Sequence, residues 1–438
     1  MSFREAIESD AEDLLALHAH ASIPSRLREQ LGALRNDYLA QERTLEGAAR
    51  ELRAAWLALA HRPADSTPKS PVDGETADMP RTGPLQFGYE RDLDVSLLEE
   101  RGPAYAPCPA GWSGDMVAFR SGQAALATIL QFVAGRFGEQ RPLSVVHAGA
   151  YFETKALLDA WPRRSFRQAP PTAVSADVVV AEPVWCNGHF GIARDLPRAR
   201  HALLLDTTMT GPSHDLHPAL ATAGDDCELA IVFSSGLKLD QAGLELANLG
   251  LARILVRGGN RRVLPDTTAR LKELRGLMAT GLTLDELAAL SAPWVLDRSY
   301  VDRYCSAIFA HNRALAGAIG GDAPLFGPRS HPSLEEPLAE APFCAIQLRD
   351  PTPARYRRLA EIVSGECDRR GVLLGQGGSF GFRGHRFELI EPAPSQGDAF
   401  LRVAMGWRSG LSCSSIVELF GELAACPSFA ALDRNYGR

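Results

Sequence analysis

Apolar residues recur at helical spacing between residues 25 and 60. Leu27, Leu31, Leu34 and Tyr38 are separated by four, three and four positions. This spacing places the four side chains on one face of an amphipathic helix. We therefore predict a helical arm over residues 25–60 that packs on its own chain or on a partner subunit.

Residues 62–84 have a different pattern, since they contain five prolines and few large apolar groups. Such a stretch cannot bury enough apolar surface to offset the conformational entropy that is lost on ordering. We therefore predict a mobile linker without regular structure between the helical arm and the rest of the chain.

Short apolar runs alternate with helical stretches from about residue 115 onwards. Several of these runs are apolar almost throughout, which is typical of parallel strands buried on both faces. The helical stretches between them, such as residues 121–137, are long enough for crossover helices, so we predict a doubly wound, mostly parallel α/β domain. The candidate strands are LSVVH (143–147), DVVVAE (177–182), HALLLD (201–206), LAIVF (229–233) and ARILV (252–256).

The C-terminal part of the chain predicts a smaller α+β domain. Its candidate helices lie near residues 300–318, 353–370 and 413–425, and its candidate strands lie within 343–350 and 400–407, with a glycine-rich segment at 375–384. A chain of 438 residues is too long for one ordinary domain. We expect three parts: a helical N-terminal extension with the linker (1–85), a large domain (86–295) and a C-terminal small domain (296–438).

Composition and charge exclude several classes of function. The formal net charge is −7, whereas a nucleic-acid-binding protein usually shows a basic patch or stripe. No apolar run is long enough to span a bilayer, and the acidic N-terminus lacks the apolar stretch of a signal peptide, so we predict a cytoplasmic protein without a membrane partner. The eight cysteines form no C-x-x-C pair and the histidines no H-E-x-x-H motif, so we predict no metal site.

Two polar residues follow successive candidate strands. Asp206 ends the run HALLLD, and Lys238 follows the run LAIVF after a Ser-Ser-Gly turn. Their spacing fits one βαβ unit, so both could face the crevice beyond the strand ends, where ligands bind in such sheets. A lysine there is partly desolvated, which lowers its pKa and frees the amine for imine formation. The alternative is a helix-capping aspartate and a solvated surface lysine.

Two further features have the same double interpretation. Ser121, Gly122 and Gln123 open a predicted helix, where free N–H groups and the helix dipole favour a phosphate; an ordinary helix cap has the same sequence. Tyr151 follows the strand LSVVH and could stack on a planar ring, or it could be a surface aromatic residue.

In this order, Ser-Gly, Tyr, Asp and Lys together resemble the motifs of the fold-type I pyridoxal-phosphate (PLP) enzymes. The sequence is most similar to the Cys/Met-metabolism family, which includes cystathionine γ-synthase, cystathionine lyases and methionine γ-lyase. The resemblance runs from about Tyr89 to Arg408, and it implies the fold-type I fold and PLP as the cofactor, with Lys238 as its Schiff-base lysine.

The resemblance also implies roles for individual residues. Five features of the family imply the cofactor contacts. They are the phosphate-binding S-G-x-A-A segment, the ring-stacking tyrosine, the D-x-T motif, the S-x-T-K motif and the Y-x-R arm of the neighbouring subunit. The corresponding residues are Ser121, Gly122, Gln123, Tyr151, Asp206, Thr208, Ser235, Lys238, Tyr89 and Arg91. The family's R-x-x-x-G motif and two further positions imply that the substrate contacts are Arg402, Ser379 and Asn187.

The sequence departs from the family pattern at several positions. Leu237 replaces the threonine before the lysine, Trp185 and Cys186 replace the usual Pro-Thr before Asn187, and Trp407-Arg408 stands without the acidic pair that the family has there. The first 85 residues have no counterpart in the family, so the sequence indicates a divergent member.

The family's chemistry implies elimination or replacement at the β- or γ-carbon of an amino acid, with a thioether, O-acyl or sulfonium leaving group. Lys238 would move the α-proton, Tyr151 would assist the leaving group, and the departures are compatible with specialised biosynthesis. The alternative is a PLP-dependent aminotransferase, decarboxylase or aldolase-type enzyme on the same fold. The Y-x-R arm implies a homodimer or homotetramer with shared active sites.

Overall fold

The computed structural model describes residues 2–170, 172–224, 227, 229–258, 262–391 and 399–437. Its helices are α1 (Phe3–Ala21), α2 (Leu27–Ala33), α3 (Tyr38–Ala60), α4 (Arg62–Ser66), α5 (Ser96–Glu99), α6 (Gly102–Tyr105), α7 (Gly122–Phe137), α8 (Phe152–Ala160), α9 (His217–Leu220), α10 (Val263–Leu277), α11 (Leu284–Leu290), α12 (Arg298–Ile319), α13 (Pro353–Arg370), α14 (Leu411–Ala424) and α15 (Phe429–Tyr436).

The strands are β1 (Ala77–Met79), β2 (Gly83–Leu85), β3 (Trp112–Phe119), β4 (Leu143–Ala148), β5 (Phe166–Gln168), β6 (Ser175–Ala181), β7 (Val184–Cys186), β8 (Phe190–Ile192), β9 (Arg198–Asp206), β10 (Leu229–Ser235), β11 (Gly250–Arg257), β12 (Cys344–Ile346), β13 (Leu374–Gln376), β14 (His385–Ile390) and β15 (Phe400–Ala404). No helix among the described residues is long and apolar enough to cross a membrane.

A seven-stranded sheet forms the centre of the large domain, in the order β3-β11-β10-β9-β6-β4-β5. The five candidate strands of the sequence are all present, and β4, β5, β6, β9 and β10 run parallel. Because β11 is antiparallel to both of its neighbours, β3 and β10 point the same way. The carboxyl ends of β3, β4, β6, β9 and β10 therefore share one edge of the sheet.

The candidate strand ARILV is the antiparallel member of the mostly parallel sheet, since β11 pairs antiparallel with β10. A parallel pair needs a crossover that passes over the sheet, usually as a helix. The structure has no helix between Ser235 and Gly250, both of which lie in the described part of the chain. This connection is the loop that carries Lys238, and it returns the chain directly beside β10.

Alternating side chains of the central strands enter two separate cores. Val178, Leu204 and Ile231 face the side covered by α7 and α10, and Leu203 and Val232 face the side covered by α9. Burial on both faces explains why the strands are apolar almost throughout.

The predicted helical arm consists of two helices, α2 and α3, rather than one. Asn36 has a left-handed backbone (φ 68°), and Asp37 caps α3 by accepting a hydrogen bond from the amide of Ala40 at 3.0 Å. The arm packs on its own chain, where the indole of Trp56 is buried and donates to the carbonyl of Ala289 at 2.8 Å.

The segment 62–84 is not the unstructured linker that its prolines predicted. It contains α4 and the antiparallel hairpin of β1 and β2, in which Ala77 and Met79 are buried. The segment has few apolar groups on average, but these two apolar side chains stand at alternate positions, which is enough to anchor a short strand.

The C-terminal part of the chain contains a four-stranded sheet in the order β12-β15-β14-β13. Helices α12, α13 and α14 pack on it around a core that includes Leu359, Leu401 and Phe420. The predicted C-terminal helices are confirmed, whereas β13 and β14 were not predicted because glycines interrupt the pattern around them. The division of the chain at residues 85 and 295 stays a prediction.

Candidate active site

A cavity of about 820 Å³ lies at the shared edge of the large sheet and reaches the C-terminal sheet. It brings together eleven of the residues that the sequence predicted. These are Ser121, Gly122, Gln123, Tyr151, Asn187, Asp206, Thr208, Ser235, Lys238, Ser379 and Arg402.

Lys238 lies in the wall of this cavity on the loop after β10. Burial, followed by the charge of Arg402, lowers the pKa of the Lys238 amine. The amine donates a hydrogen bond to the hydroxyl of Ser379 and lies 5.6 Å from the centre of the Phe380 ring. Gly381 has φ +81°, and a Cβ there would come within 2.4 Å of the Lys238 carbonyl oxygen, so glycine is needed for this close approach.

Asp206 ends β9 and faces the cavity beside a second carboxylate. Burial and the neighbouring charge of Glu182 raise the pKa of Asp206 to about 6. Its Oδ1 accepts a hydrogen bond from the amide of Thr208 at 2.9 Å. The carboxylate is therefore held in place, and among the described residues it forms no ion pair with a lysine or an arginine.

The amino end of α7 lines the same cavity. The hydroxyl of Ser121 caps the helix by accepting from the amide of Ala124 at 3.1 Å. A Cβ on Gly122 would lie 3.2 Å from the Ser235 nitrogen, and that nitrogen donates to the hydroxyl of Thr208 at 3.0 Å. Free N–H groups of a 16-residue helix and hydroxyls at one place form a site suited to a phosphate.

Tyr151 begins α8 and is held by two carboxylates. Its amide donates to Glu182 at 2.9 Å, and Glu182 also lies 3.1 Å from the imidazole of His147. The Tyr151 hydroxyl donates to Glu153 at 2.6 Å. Burial and this contact raise the pKa of Tyr151, so its hydroxyl keeps its proton over the ordinary pH range.

Arg402 faces the cavity from β15, and Glu388 is its cross-strand partner on β14. The two side chains form an ion pair. The Nε atom of Arg402 is buried without a hydrogen-bond partner, and so is the Oδ1 atom of Asn187. Such atoms usually bind a ligand or water, because an unpaired buried polar atom is costly.

Tyr89 and Arg91 lie outside the cavity of this chain. The Tyr89 side chain is exposed, the Arg91 guanidinium lies 4.8 Å from the centre of its ring, and the Arg91 Nε lies 3.8 Å from Asp92 Oδ1. The contact of Tyr89 and Arg91 with a partner's cofactor stays a prediction.

The residues of the cavity fit PLP. The amino end of α7 with Ser235 and Thr208 suits its phosphate, the carboxylate of Asp206 suits its ring nitrogen, and the amine of Lys238 has the lowered pKa that imine formation needs. Among the described residues, no group of three or more His, Cys, Asp or Glu could hold a metal ion.

Sequence reasoning missed three carboxylates of this cavity. Glu153 contacts Tyr151, Glu182 contacts the Tyr151 amide, and Glu388 contacts Arg402. Glu182 ends the candidate strand DVVVAE, and the sequence indicated no role for it. The alternation of His385, Phe387 and Leu389 with Glu388 could have indicated a strand with Glu388 on the face opposite to the core.

The chain is similar in structure to several solved enzymes. Cystathionine γ-synthase from Xanthomonas oryzae pv. oryzae, in complex with cystathionine, has a TM-score of 0.58 and 16% identity over 86% of this chain and 99% of its own. A methionine γ-lyase from Micromonospora echinospora has a TM-score of 0.53 and 17% identity over 85% of this chain and 98% of its own. Cystathionine γ-lyase from yeast has a TM-score of 0.51 and 15% identity over 84% of this chain and 98% of its own.

No family model matches the sequence, and no curated relative matches it. The structural similarities confirm the α/β fold predicted from the sequence, which is the fold of the type I PLP enzymes.

Proposed function

We propose that this protein is a PLP-dependent enzyme, a divergent member of the Cys/Met-metabolism family, which catalyses elimination or replacement at the β- or γ-carbon of an amino acid. One observation carries the proposal. The amine of Lys238, the carboxylate of Asp206 and the amino end of α7 all face a single cavity at the carboxyl ends of parallel strands. Each has the chemistry that one part of the cofactor requires.

The first set of proposed roles concerns the cofactor. Asp206 would pair with the ring nitrogen, Tyr151 would stack on the ring, and Gly122, Gln123 and Ser235 would hold the phosphate. When bound, PLP supplies an electron sink that stabilises negative charge on the α-carbon of the substrate.

The second set concerns the substrate. Arg402, which lines the cavity, would bind the α-carboxylate through the donors of its guanidinium, and Ser379 would add a hydroxyl contact. Lys238 Nζ would take the proton from the α-carbon, since a buried amine with a lowered pKa is neutral more often and can act as a base. Tyr151 would hold a proton near the leaving group, because its hydroxyl stays protonated and is oriented by Glu153.

The known similarities favour this reaction type over the other reactions of the fold. The solved enzymes with similar structures include γ-synthases and γ-lyases of sulfur amino acids. The proposal also includes a cytoplasmic homodimer or homotetramer with shared active sites, for which the exposed Tyr89 and Arg91 are the support on this chain.

A reconstitution experiment tests the proposal. The purified chain is incubated with PLP, and its visible absorbance is recorded before and after borohydride reduction, with peptide mapping of the labelled lysine. Amino acids with leaving groups at Cβ or Cγ are then screened for release of keto acid and ammonia. We expect label on Lys238 and turnover of at least one γ-substituted amino acid. Absence of bound cofactor would refute the proposal.

A further inference from the structure

We propose that Glu388 makes this site selective for an amino acid whose side chain carries a positive charge, such as a sulfonium or ammonium group. The inference rests on the proposed function and deepens it by naming the class of substrate.

The position of Glu388 is the first observation. Its carboxylate pairs with Arg402 across neighbouring strands, and the two side chains are 33% and 18% exposed. A Cβ on Gly378 would lie 3.2 Å from Glu388 Oε1, which places this carboxylate beside the loop of Ser379. The chain therefore keeps a carboxylate of its own next to both groups that would bind the α-carboxylate of the substrate.

Arg402 can serve two carboxylates at once. A guanidinium carries five N–H donors in a planar fork, and the Nε atom of Arg402 is buried without a partner while another nitrogen contacts Glu388. A substrate carboxylate that binds donors of this guanidinium not used by Glu388 brings a second negative charge to a single cation. If the side chain of the substrate is neutral, Arg402, Glu388 and the substrate carboxylate together carry a net negative charge in a partly buried place.

A cationic substrate side chain removes this excess, since it can pair with Glu388 while the α-carboxylate pairs with Arg402. The substrate then adds two ion pairs, one to Arg402 and one to Glu388, beside the pair that these two residues already form. Selectivity arises because a neutral analogue forms only one of them.

The other charges of the cavity agree with this selection. Among the described lining residues, the carboxylates are Glu153, Glu182, Asp206, Glu388 and Glu391, and the only cations are Lys238 and Arg402. Asp206 is needed by the cofactor, and Glu391 pairs with Arg357 at 3.3 Å. Glu153 accepts from the hydroxyl of Tyr151, and Glu182 accepts from its amide. Glu388 is thus the carboxylate that pairs with Arg402, the same residue that the α-carboxylate of the substrate would bind.

The size of the cavity permits such a substrate. Its volume of about 820 Å³ lies in the upper part of the range of about 300–1,000 Å³ for small-molecule sites. The cofactor and a large amino acid can therefore share it.

The test compares L-methionine with S-methyl-L-methionine, which share a carbon skeleton and differ by one methyl group and one positive charge. Dissociation constants are measured on the cofactor-loaded enzyme from the rapid change in cofactor absorbance and, independently, by calorimetry. We expect the wild type to bind the sulfonium about tenfold more tightly or better, which corresponds to about 1.4 kcal/mol.

Glu388→Gln should remove this preference through opposite changes, with methionine bound more tightly and S-methylmethionine more weakly. Glu388→Asp should keep part of the preference. Glu361→Gln is the matched control, since Glu361 pairs with Arg358 on the exposed side of α13, and it should leave both affinities unchanged.

Three outcomes decide the matter. Equal affinities of the wild type for the two probes would overturn the inference, and this comparison needs no variant to fold. A Glu388→Gln enzyme that changes both affinities in the same direction would assign Glu388 a merely structural role and also overturn it. If no amino acid alters the cofactor absorbance, the proposed function itself fails, and the inference falls with it.

Discussion

Asp10 in the first helix forms an ion pair with Arg408 near the end of the chain, with 2.9 Å between Arg408 Nε and Asp10 Oδ2. Both side chains are almost completely buried, at 3% and 2% exposure. Asp10 also pairs with the buried Arg383, which follows Ser379 by four residues. Although burial opposes its ionisation, these two arginines keep the pKa of Asp10 below its usual value. The N-terminal extension thus supplies a carboxylate that pairs with two buried arginines of the C-terminal part of the chain.

The first prediction concerns the stability that depends on this carboxylate. Asp10→Ala leaves the buried guanidinium of Arg408 with Glu46 alone and removes one of the partners of Arg383. Breaking a buried ion pair by removing one partner costs about 3–5 kcal/mol, and we expect a loss of this size in urea unfolding. Glu8→Ala is the control on the same helix, since its pair with Arg4 is exposed, and it should cause no measurable change. Similar stability of the two variants would contradict this account.

Much of the large domain could be predicted from the sequence because its signals are local. An apolar strand followed by a polar residue indicates both the strand and the edge of the sheet where that residue lies, so Asp206 and Lys238 were found together. The Ser-Gly helix start at Ser121 is equally local. The resemblance to a known family then added Ser379 and Arg402, which no local pattern indicated.

The missed features depend on contacts between distant segments. The contact of Glu388 with Arg402 depends on the pairing of β14 with β15, and Asp10 meets Arg408 only because the extension packs against the C-terminal part. The sequence of β11 resembles the sequences of the parallel strands in the same sheet, since burial on both faces gives the same apolar pattern in either direction. The pattern of apolar residues along the chain indicates that a strand is buried. It does not indicate the direction of the strand or the strand with which it pairs.

The second prediction concerns pH and Asp206. Its pKa in the folded chain is about 6, above the ordinary 3.8. The folded chain without cofactor thus binds this proton more tightly than the unfolded chain, and it loses stability as the pH rises from about 4 through about 6. Asp206→Asn lacks this penalty, so the cofactor-free variant should equal the wild type near pH 4 and exceed it by about 1–3 kcal/mol near pH 7.5.

Thermal unfolding of both cofactor-free proteins over this pH range checks the prediction, with Asp195→Asn, an exposed position, as the control. The same Asp206→Asn enzyme should lose turnover by orders of magnitude when supplied with PLP, because the amide cannot hold a proton on the ring nitrogen. A variant with wild-type turnover would show that Asp206 is only a turn-capping residue.

The third prediction concerns Lys238. Lys238→Arg keeps a positive charge near Ser379 but cannot form an imine, since a guanidinium stays protonated. We expect it to lose turnover and the borohydride-reducible absorbance while it keeps the wild-type circular dichroism. Lys155→Ala, which removes an exposed lysine paired with Asp159, should retain both activity and absorbance. A reducible band in Lys238→Arg would exclude Lys238 as the attachment site.

The last prediction concerns assembly. Arg91 and Tyr89 are exposed and lie outside the cavity of their own chain, and the proposed function places them at the phosphate of a partner's site. Arg can meet a phosphate with two parallel hydrogen bonds. If Arg91 only paired with Asp92, its loss would hardly affect activity, because exposed pairs contribute little. We therefore expect Arg91→Ala, like Lys238→Ala, to be inactive alone.

Mixing these two inactive variants distinguishes a shared site from a site within one chain. In a mixed dimer with shared sites, one site carries both substitutions and the other carries neither. Co-refolded mixtures should therefore recover up to about one quarter of wild-type activity by random pairing. Mixtures of Lys238→Ala with Asp206→Asn serve as the control, since both changes lie in the same cavity and each site of the mixed dimer keeps one of them, so no activity should return. If the Arg91→Ala mixture also stays inactive although subunit exchange is demonstrated, Arg91 does not act across the interface.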